Sequence, residues 1–200
     1  MTKDGLYRFL RPLLTLLIKI IFRPQIIGKE NIKKSGKLII AGNHTKFLDP
    51  VLLLSATKRT IHFLAKKELI ESPLGFAFKH MGIIPVNRKI KDKSVLPASA
   101  KCLKDGNLIG IFPEGTTEKG KGLLPFKIGA VKMAYENETE IIPFGIAGKY
   151  KIFKNNLTLI FGKPYQVSNN LETENEKLKE KVIKLIKEAE SYGKNKWFLL

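Results

Sequence analysis

Two hundred residues suffice for one domain, or for one domain with an appendage. A hydrophobic fraction of 44% excludes global disorder, and a single cysteine excludes a disulfide framework and any multi-cysteine metal site. The 36 Lys and Arg against 18 Asp and Glu leave a net charge of +18, which suits an anionic partner: nucleic acid, anionic lipid or phosphorylated substrates.

That charge is uneven and mostly lysine. Residues 1–60 hold 12 cations and three acids, whereas residues 171–190 hold five Lys and six Glu. Only five cations in the chain are Arg, and a sequence-specific reader of nucleic acid leans on Arg for bidentate base contacts. No nucleic-acid partner is expected on that ground.

Residues 6–22 read LYRFLRPLLTLLIKIIF, and their longest charge-free run is Pro12–Ile18. A membrane-spanning helix needs ~20 apolar residues, so this segment is too short to cross. Arg8, Arg11, Thr15, Lys19 and Arg23 recur every three or four positions. On a helix they form one cationic stripe, with Phe9, Leu10, Leu13, Leu16, Leu17, Ile20 and Ile21 around the rest. That pattern predicts a helix lying at the headgroup level of an anionic membrane surface, on the cytoplasmic face of the cell membrane. Pro12 makes it one kinked helix or two short ones. A signal peptide is disfavoured, since Arg23, Pro24 and Gln25 follow where a small-residue cleavage site would be needed. The bland alternative is a helix packed on its own domain. Residues 1–24 thus stand apart from a single domain over 25–200.

Beyond Pro24, short Ile-rich runs alternate with helical stretches. Residues 37–41, 61–65, 83–86, 108–112, 141–146 and 157–161 read as strands. Residues 50–58, 66–80, 93–105, 126–137 and 171–191 read as helices. This alternation predicts an α/β fold with a mixed, largely parallel sheet flanked by helices.

The first chemical signal follows the first of these strands, in Gly42–Pro50 (GNHTKFLDP). Loops after strand C-termini are where open α/β sheets bind ligands, which puts His44 where chemistry usually happens. Asp49 suits a helix N-cap and Pro50 the first helical turn. On a continuous helix His44 and Asp49 would lie about 140° apart. With His44 in the loop, the carboxylate can fold back onto the imidazole, fix its tautomer and raise its basicity. Asp49 is equally suited to capping alone, and His44 to bonding a backbone carbonyl. His62, within a strand, and His80, ending a helix, lack metal-ligand spacing with any other donor, so no metal is expected. Cys102 reads as a small buried residue.

The second signal is Phe112–Glu118 (FPEGTTE), again just after a strand. Gly115–Lys121 matches a phosphate-binding loop, GxxxxGK, up to its last position, where Gly122 replaces the Ser or Thr that holds magnesium. Leu123, Leu124 and Pro125 also separate it from any helix. The better reading is a loop presenting Glu114 and backbone amides. Lys127 falls in the first turn of the helix expected over 126–137, where the dipole disfavours a cation.

Taken in order, NHTKFLD (43–49), GIIPVNR (82–88), FPEGT (112–116), PFKIG (125–129) and IIPFGI (141–146) resemble the signature blocks of the 1-acylglycerol-3-phosphate acyltransferases, the PlsC-type enzymes with an H-x4-D site. The resemblance runs from about residue 25 to 165, and the basic N-terminal helix is similar to that family's membrane anchor. It implies a glycerophosphate-acyltransferase-like fold. It also implies transfer of a fatty acyl group from acyl-CoA or acyl-carrier protein to the 2-hydroxyl of a lysophospholipid acceptor, with no cofactor, metal or covalent acyl-enzyme. One departure is Thr117, which stands where the family usually continues with Arg, so the acceptor-phosphate contact falls to Arg88, Lys119 or Lys121.

The residues offer matching chemistry. His44, steadied by Asp49, can remove the attacking hydroxyl's proton and pass it to the departing thiolate. Lys127 and the amides of the 112–116 or 127–129 turns are candidates for the oxyanion. Arg88 suits the acceptor phosphate. Glu114, Gly115 and Thr116 shape the loop or touch the glycerol. Two rival classes remain. A basic membrane-surface binding protein would leave His44, Asp49 and the FPEGT loop unexplained, and a lipid hydrolase would need a nucleophile elbow that no Ser here provides. Within the acyltransferase reading, another lysophospholipid or an amino-lipid acceptor is the alternative.

Overall fold

Successive side chains of a strand point to opposite faces, and the Ile-rich runs of this chain furnish both faces of one sheet. The computed structural model describes residues 5–72, 75, 82–87, 94–117 and 122–195. In chain order these form α1 (Gly5–Phe22), β1 (Gln25–Ile27), a 3₁₀ turn (Lys29–Asn31), β2 (Leu38–Gly42) and α2 (Asp49–Leu54). There follow β3 (Ile61–Lys66), α3 (Lys67–Ile70), β4 (Ile84–Val86), α4 (Val95–Lys104) and β5 (Leu108–Ile111). The chain continues through α5 (Gly129–Glu136), β6 (Ile141–Gly148), β7 (Leu157–Phe161) and α6 (Leu171–Asn195).

Seven strands lie in the order β1-β7-β6-β2-β5-β3-β4. All pairs are parallel except β6 with β7, where Gly145 faces Ile160 and Gly148 faces Leu157. Alternate residues of β2 show the layering. Leu38 and Ile40 join Leu52, Leu53, Leu54, Tyr7 and Ile18 on one face, with α1 and α2. Ile39 and Ala41 join Leu103, Val131, Met133, Leu178 and Val182 on the other, with α4, α5 and α6. Gly145 lets α6 lie close: a Cβ there would come within 2.7 Å of the Ile186 backbone nitrogen.

The expected mixed, largely parallel sheet flanked by helices is present, with adjustments. Strand β1 is an addition, paired with β7 through Gln25 and Thr158. The helix expected at 50–58 stops at Leu54. Of the helix expected over 66–80, Lys67–Ile70 is helical and His80 lies outside the described residues. Lys127 precedes α5, because that helix begins at Gly129 rather than 126.

Helix α1 runs unbroken through Pro12. It is docked on the domain by one row. Tyr7 and Ile18 are buried, and each side chain of that size contributes about 1.5–3 kcal/mol on burial. The Tyr7 hydroxyl donates to the Arg59 carbonyl at 3.3 Å, and Arg11 donates to the Thr57 carbonyl at 3.1 Å. Arg11 therefore faces the protein rather than standing in an outward cationic stripe. Phe9, Leu13, Leu16, Leu17 and Ile20 remain exposed on the far side. No helix among the described residues is long and apolar enough to cross a membrane.

Because β2, β5 and β6 are mutually parallel, their C-terminal ends share one edge of the sheet. The loops 43–48, 112–117 and 149–156 gather there.

Candidate active site

The site is built from the β2 exit. Asn43, the first residue after the strand, is buried and ties that exit to β6. Its Nδ2 donates to the Ile146 carbonyl and its Oδ1 accepts the Ile146 N–H, both at 2.8 Å. The chain then turns through His44–Leu48 into α2.

Asp49 is the first residue of α2, with Leu48 at the N-cap position, and no side-chain cap bond is formed. The capping role open to Asp49 from its sequence position is thus not taken. Its carboxylate turns back onto the loop instead. Asp49 Oδ2 lies 2.9 Å from His44 Nδ1 and accepts the Lys46 N–H at 2.8 Å and the Thr45 N–H. Asp49 Oδ1 accepts the Thr45 hydroxyl at 2.9 Å and the Tyr150 hydroxyl at 2.6 Å. The Asp49 side chain has 0% exposure. Burial alone would raise its pKa, but the bonds from His44, Tyr150 and the Lys46 and Thr45 amides outweigh it and hold the carboxyl below the ordinary aspartate range. The Tyr150 hydroxyl is pushed strongly upward by burial and by the adjacent Asp49 charge, so it stays a donor.

With Nδ1 bonded to a carboxylate, Nε2 is left as the nitrogen that can take a proton. The imidazole is held from a second side by Phe112, whose ring stacks on it at 3.9 Å between centroids and 16° between planes. Phe112 is wedged in turn by Phe63 at 5.9 Å and Phe144 at 5.8 Å. His44 therefore has a fixed tautomer and a fixed ring plane.

The 112–117 loop supplies the facing wall. Glu114 is buried, and both carboxylate oxygens take backbone N–H groups: Oε1 from His44 at 2.8 Å and Oε2 from Leu124 at 3.0 Å. Glu114 thus clamps three segments together: the His44 loop, its own loop and the 122–128 segment. Gly115 has φ of +73°, and a Cβ there would lie 3.1 Å from Lys127 Nζ. The exposed Lys127 ammonium consequently rests over the Gly115 backbone, while its N–H donates to the Pro113 carbonyl at 3.0 Å. Thr116 follows in the same loop, half-buried, and Thr117 is exposed.

The structure brings His44, Asp49, Glu114, Gly115 and Lys127 together at one edge of the sheet. Arg88, Lys119 and Lys121 lie outside the described residues. His62 sits apart in β3, its Nδ1 2.8 Å from the Gly82 carbonyl. Among the described residues no three His, Cys, Asp or Glu side chains gather as metal ligands. Three contributors were not singled out from sequence. Asn43 lies inside the NHTKFLD block, and Phe112 opens the FPEGT block, so both were within reach. Tyr150 had no such signal.

A family model described as Acyltransferase matches residues 23–147. The chain is 36% identical over 135 residues to a 1-acyl-sn-glycerol-3-phosphate acyltransferase of Borreliella burgdorferi, covering 66% of this chain and 54% of that protein. It is 29% identical over 165 residues to a protein of the same name from Bacillus subtilis, covering 80% and 82%. The chain thus spans about half the length of the first relative and most of the second. The crystal structure of the 1-acyl-sn-glycerophosphate acyltransferase PlsC from Thermotoga maritima superposes with a TM-score of 0.73 at 22% identity, covering 93% of this chain and 78% of that one, a likeness of fold.

Proposed function

The chain belongs to the acyltransferase family, and from that premise we propose that it transfers a fatty acyl group from acyl-CoA or acyl-carrier protein to the 2-hydroxyl of 1-acylglycerol 3-phosphate, forming phosphatidate. The observation that carries this reading is the His44–Asp49 pair at 2.9 Å, with a buried, heavily bonded carboxylate behind a partly exposed imidazole.

In this mechanism the acceptor hydroxyl gives its proton to His44 Nε2 as its oxygen attacks the thioester carbonyl. The Asp49 charge stabilises the imidazolium so formed. A positioned base of this kind contributes about 10²–10⁴-fold. The tetrahedral oxyanion is received by the Lys127 ammonium, a donor worth roughly 10²–10³-fold. Collapse breaks the carbon–sulfur bond, and His44 returns its proton to the thiolate. Glu114, with both oxygens occupied by amides, sets the spacing of the loops rather than acting as a second base. Arg88 holds the acceptor phosphate as a planar cation. The net charge of +18 draws both phosphorylated substrates and an anionic membrane surface.

Helix α1 holds this edge of the sheet at the cytoplasmic leaflet, docking by its Tyr7–Ile18 row and offering Phe9, Leu13, Leu16, Leu17 and Ile20 to lipid. Thr117, where an Arg is usual, motivates a second acceptor as the alternative. One assay decides both. The purified protein is given mixed lysophospholipids with acyl-CoA and acyl-carrier-protein donors, and products are identified by mass spectrometry. Phosphatidate as the main product is expected. Another diacyl lipid would reassign the acceptor, and free fatty acid alone would replace transfer by hydrolysis.

A further inference from the structure

The loop between β6 and β7 contains Lys149–Asn156, KYKIFKNN, three lysines and no acid. Its two large apolar side chains point away from the core: Ile152 is 64% exposed and Phe153 is 60% exposed. Phe153 also has φ of +55°, a left-handed backbone that a bulky residue adopts only when its surroundings impose it. The imposition is visible. The Phe153 N–H donates to the Ile21 carbonyl at 2.6 Å, and the Arg23 guanidinium lies 5.8 Å from the Phe153 ring centroid. Holding a phenylalanine outward in this way has no return in core packing.

Topology explains where it is held. Strand β6 ends at the edge that carries the His44 loop, β7 starts there by running antiparallel, and β1 starts there by pairing parallel with β7. The C-terminal end of α1, which leads into β1, is brought to the same edge. Exposed Ile20 on α1, Ile152 and Phe153 on the loop and Phe47, 71% exposed beside His44, therefore share one border of the sheet. Lys149, Lys151 and Lys154 frame the loop's apolar pair, with Arg23, just past the end of α1, beside the Phe153 ring.

We infer that residues 149–154 form a second membrane contact, with Ile152 and Phe153 entering the interface of an anionic phospholipid bilayer and the three lysines meeting its phosphates. The inference rests on the proposal that α1 sits on a membrane, and it adds a contact beside the reaction site itself. The loop is also joined to the chemistry, since Tyr150 donates to Asp49 at 2.6 Å. Bilayer and dyad thus engage opposite ends of one short segment.

The test places a reporter in the loop. Phe153→Trp in a Trp197→Phe background is mixed with vesicles of equimolar phosphatidylglycerol and phosphatidylcholine, with phosphatidylcholine alone as reference. A blue-shifted emission quenched by brominated acyl chains is expected on the anionic vesicles. A companion double variant, Ile152→Ser with Phe153→Ser, should bind those vesicles about 10-fold more weakly or worse, from the loss of two buried apolar side chains. It should keep its turnover of a soluble short-chain acceptor. Leu13→Ser with Leu17→Ser on α1 tests the underlying reading. If this α1 variant is released from vesicles while the reporter indole stays accessible to aqueous iodide on the bound reporter protein, the loop inference fails and the membrane reading stands. If the parent protein does not sediment with anionic vesicles, both fail. Self-association in lipid-free buffer that the Ser pair abolishes, with the reporter indole still aqueous on vesicles, assigns the patch to a second copy and overturns the inference.

Discussion

Replacing Asp49 by Asn removes one charge from a carboxylate that takes hydrogen bonds from five donors. The geometry allows the amide to fit. Oδ2 faces only nitrogen donors, from His44, Thr45 and Lys46, so the amide carbonyl takes that place. Oδ1 faces two hydroxyls, of Thr45 and Tyr150, and both can turn to accept from the amide NH₂. The fold should therefore survive at a cost. Bonds to a charged group are worth about 1.5–3 kcal/mol against about 0.5–1.5 for neutral pairs, so weakening the three to Oδ2 costs about 3–4.5 kcal/mol. The kinetic loss is larger. The imidazolium formed at His44 would lose its counter-charge at 2.9 Å, behind a residue with no solvent access. A fall in kcat of about 10²–10⁴-fold is expected, with KM for either substrate within about 3-fold, because no substrate contact is altered. Thiol release measures turnover, and thermal unfolding is followed alongside. Asp49→Asn that melts as a folded protein yet turns over within about a factor of ten of wild type would refute the base pair. Acid adds a second readout. The native carboxyl lies below its ordinary range, so it contributes stability above the unfolded value of about 4 and loses it as pH falls through the native value. Wild type should lose more stability below about pH 4 than the Asn variant does.

Three further substitutions separate positioning, clamping and binding. Tyr150→Phe removes the hydroxyl that donates to Asp49, so kcat should fall by about 10-fold at unchanged KM, a charged bond being worth about 1.5–3 kcal/mol; a change in KM alone would place Tyr150 against substrate instead. Glu114→Gln leaves one of two amide N–H groups facing an NH₂, at a cost of about 1–3 kcal/mol, and should lower both melting temperature and kcat; wild-type stability would show that the clamp is dispensable. Arg88→Ala should raise KM for the acceptor by about 10-fold while leaving the thioester KM near its original value, and equal impairment of both would make Arg88 structural.

Much of the sheet was legible because its longer strands are short apolar runs, and β2, β5, β6 and β7 each have a Gly, Asn or Pro within or close beside them. The direction of β7 was present in the spacing as well. Eight residues separate Gly148 from Leu157, and a parallel return needs a crossover of about a dozen or more. Strand β1 was not legible, since three residues carry no period and its order comes from pairing with β7, more than 130 positions away. At the site, the His44–Asp49 spacing marked the pair, but their contact depended on where α2 begins. Tyr150 could not be found at all from sequence. It reaches Asp49 across 101 positions, and only the antiparallel hairpin of β6 and β7 directs that loop over the dyad.

Helix α1 shows the same limit in another form. Periodicity reveals that an amphipathic helix has two unlike faces, but not which face its own domain will take. Here the docked row is Tyr7, Arg11, Leu14, Ile18 and Phe22, a mixed set at spacings of three and four. It is the more polar of the two rows, and its Tyr7 and Arg11 bond the carbonyls of Arg59 and Thr57 in the segment between α2 and β3, where the Tyr7 hydroxyl also accepts the Ile61 N–H. A leucine row could not bond those groups. The polar demand of the α2–β3 turn thus selects the docking face, and the richer apolar face is turned outward beside the loop that carries Ile152 and Phe153.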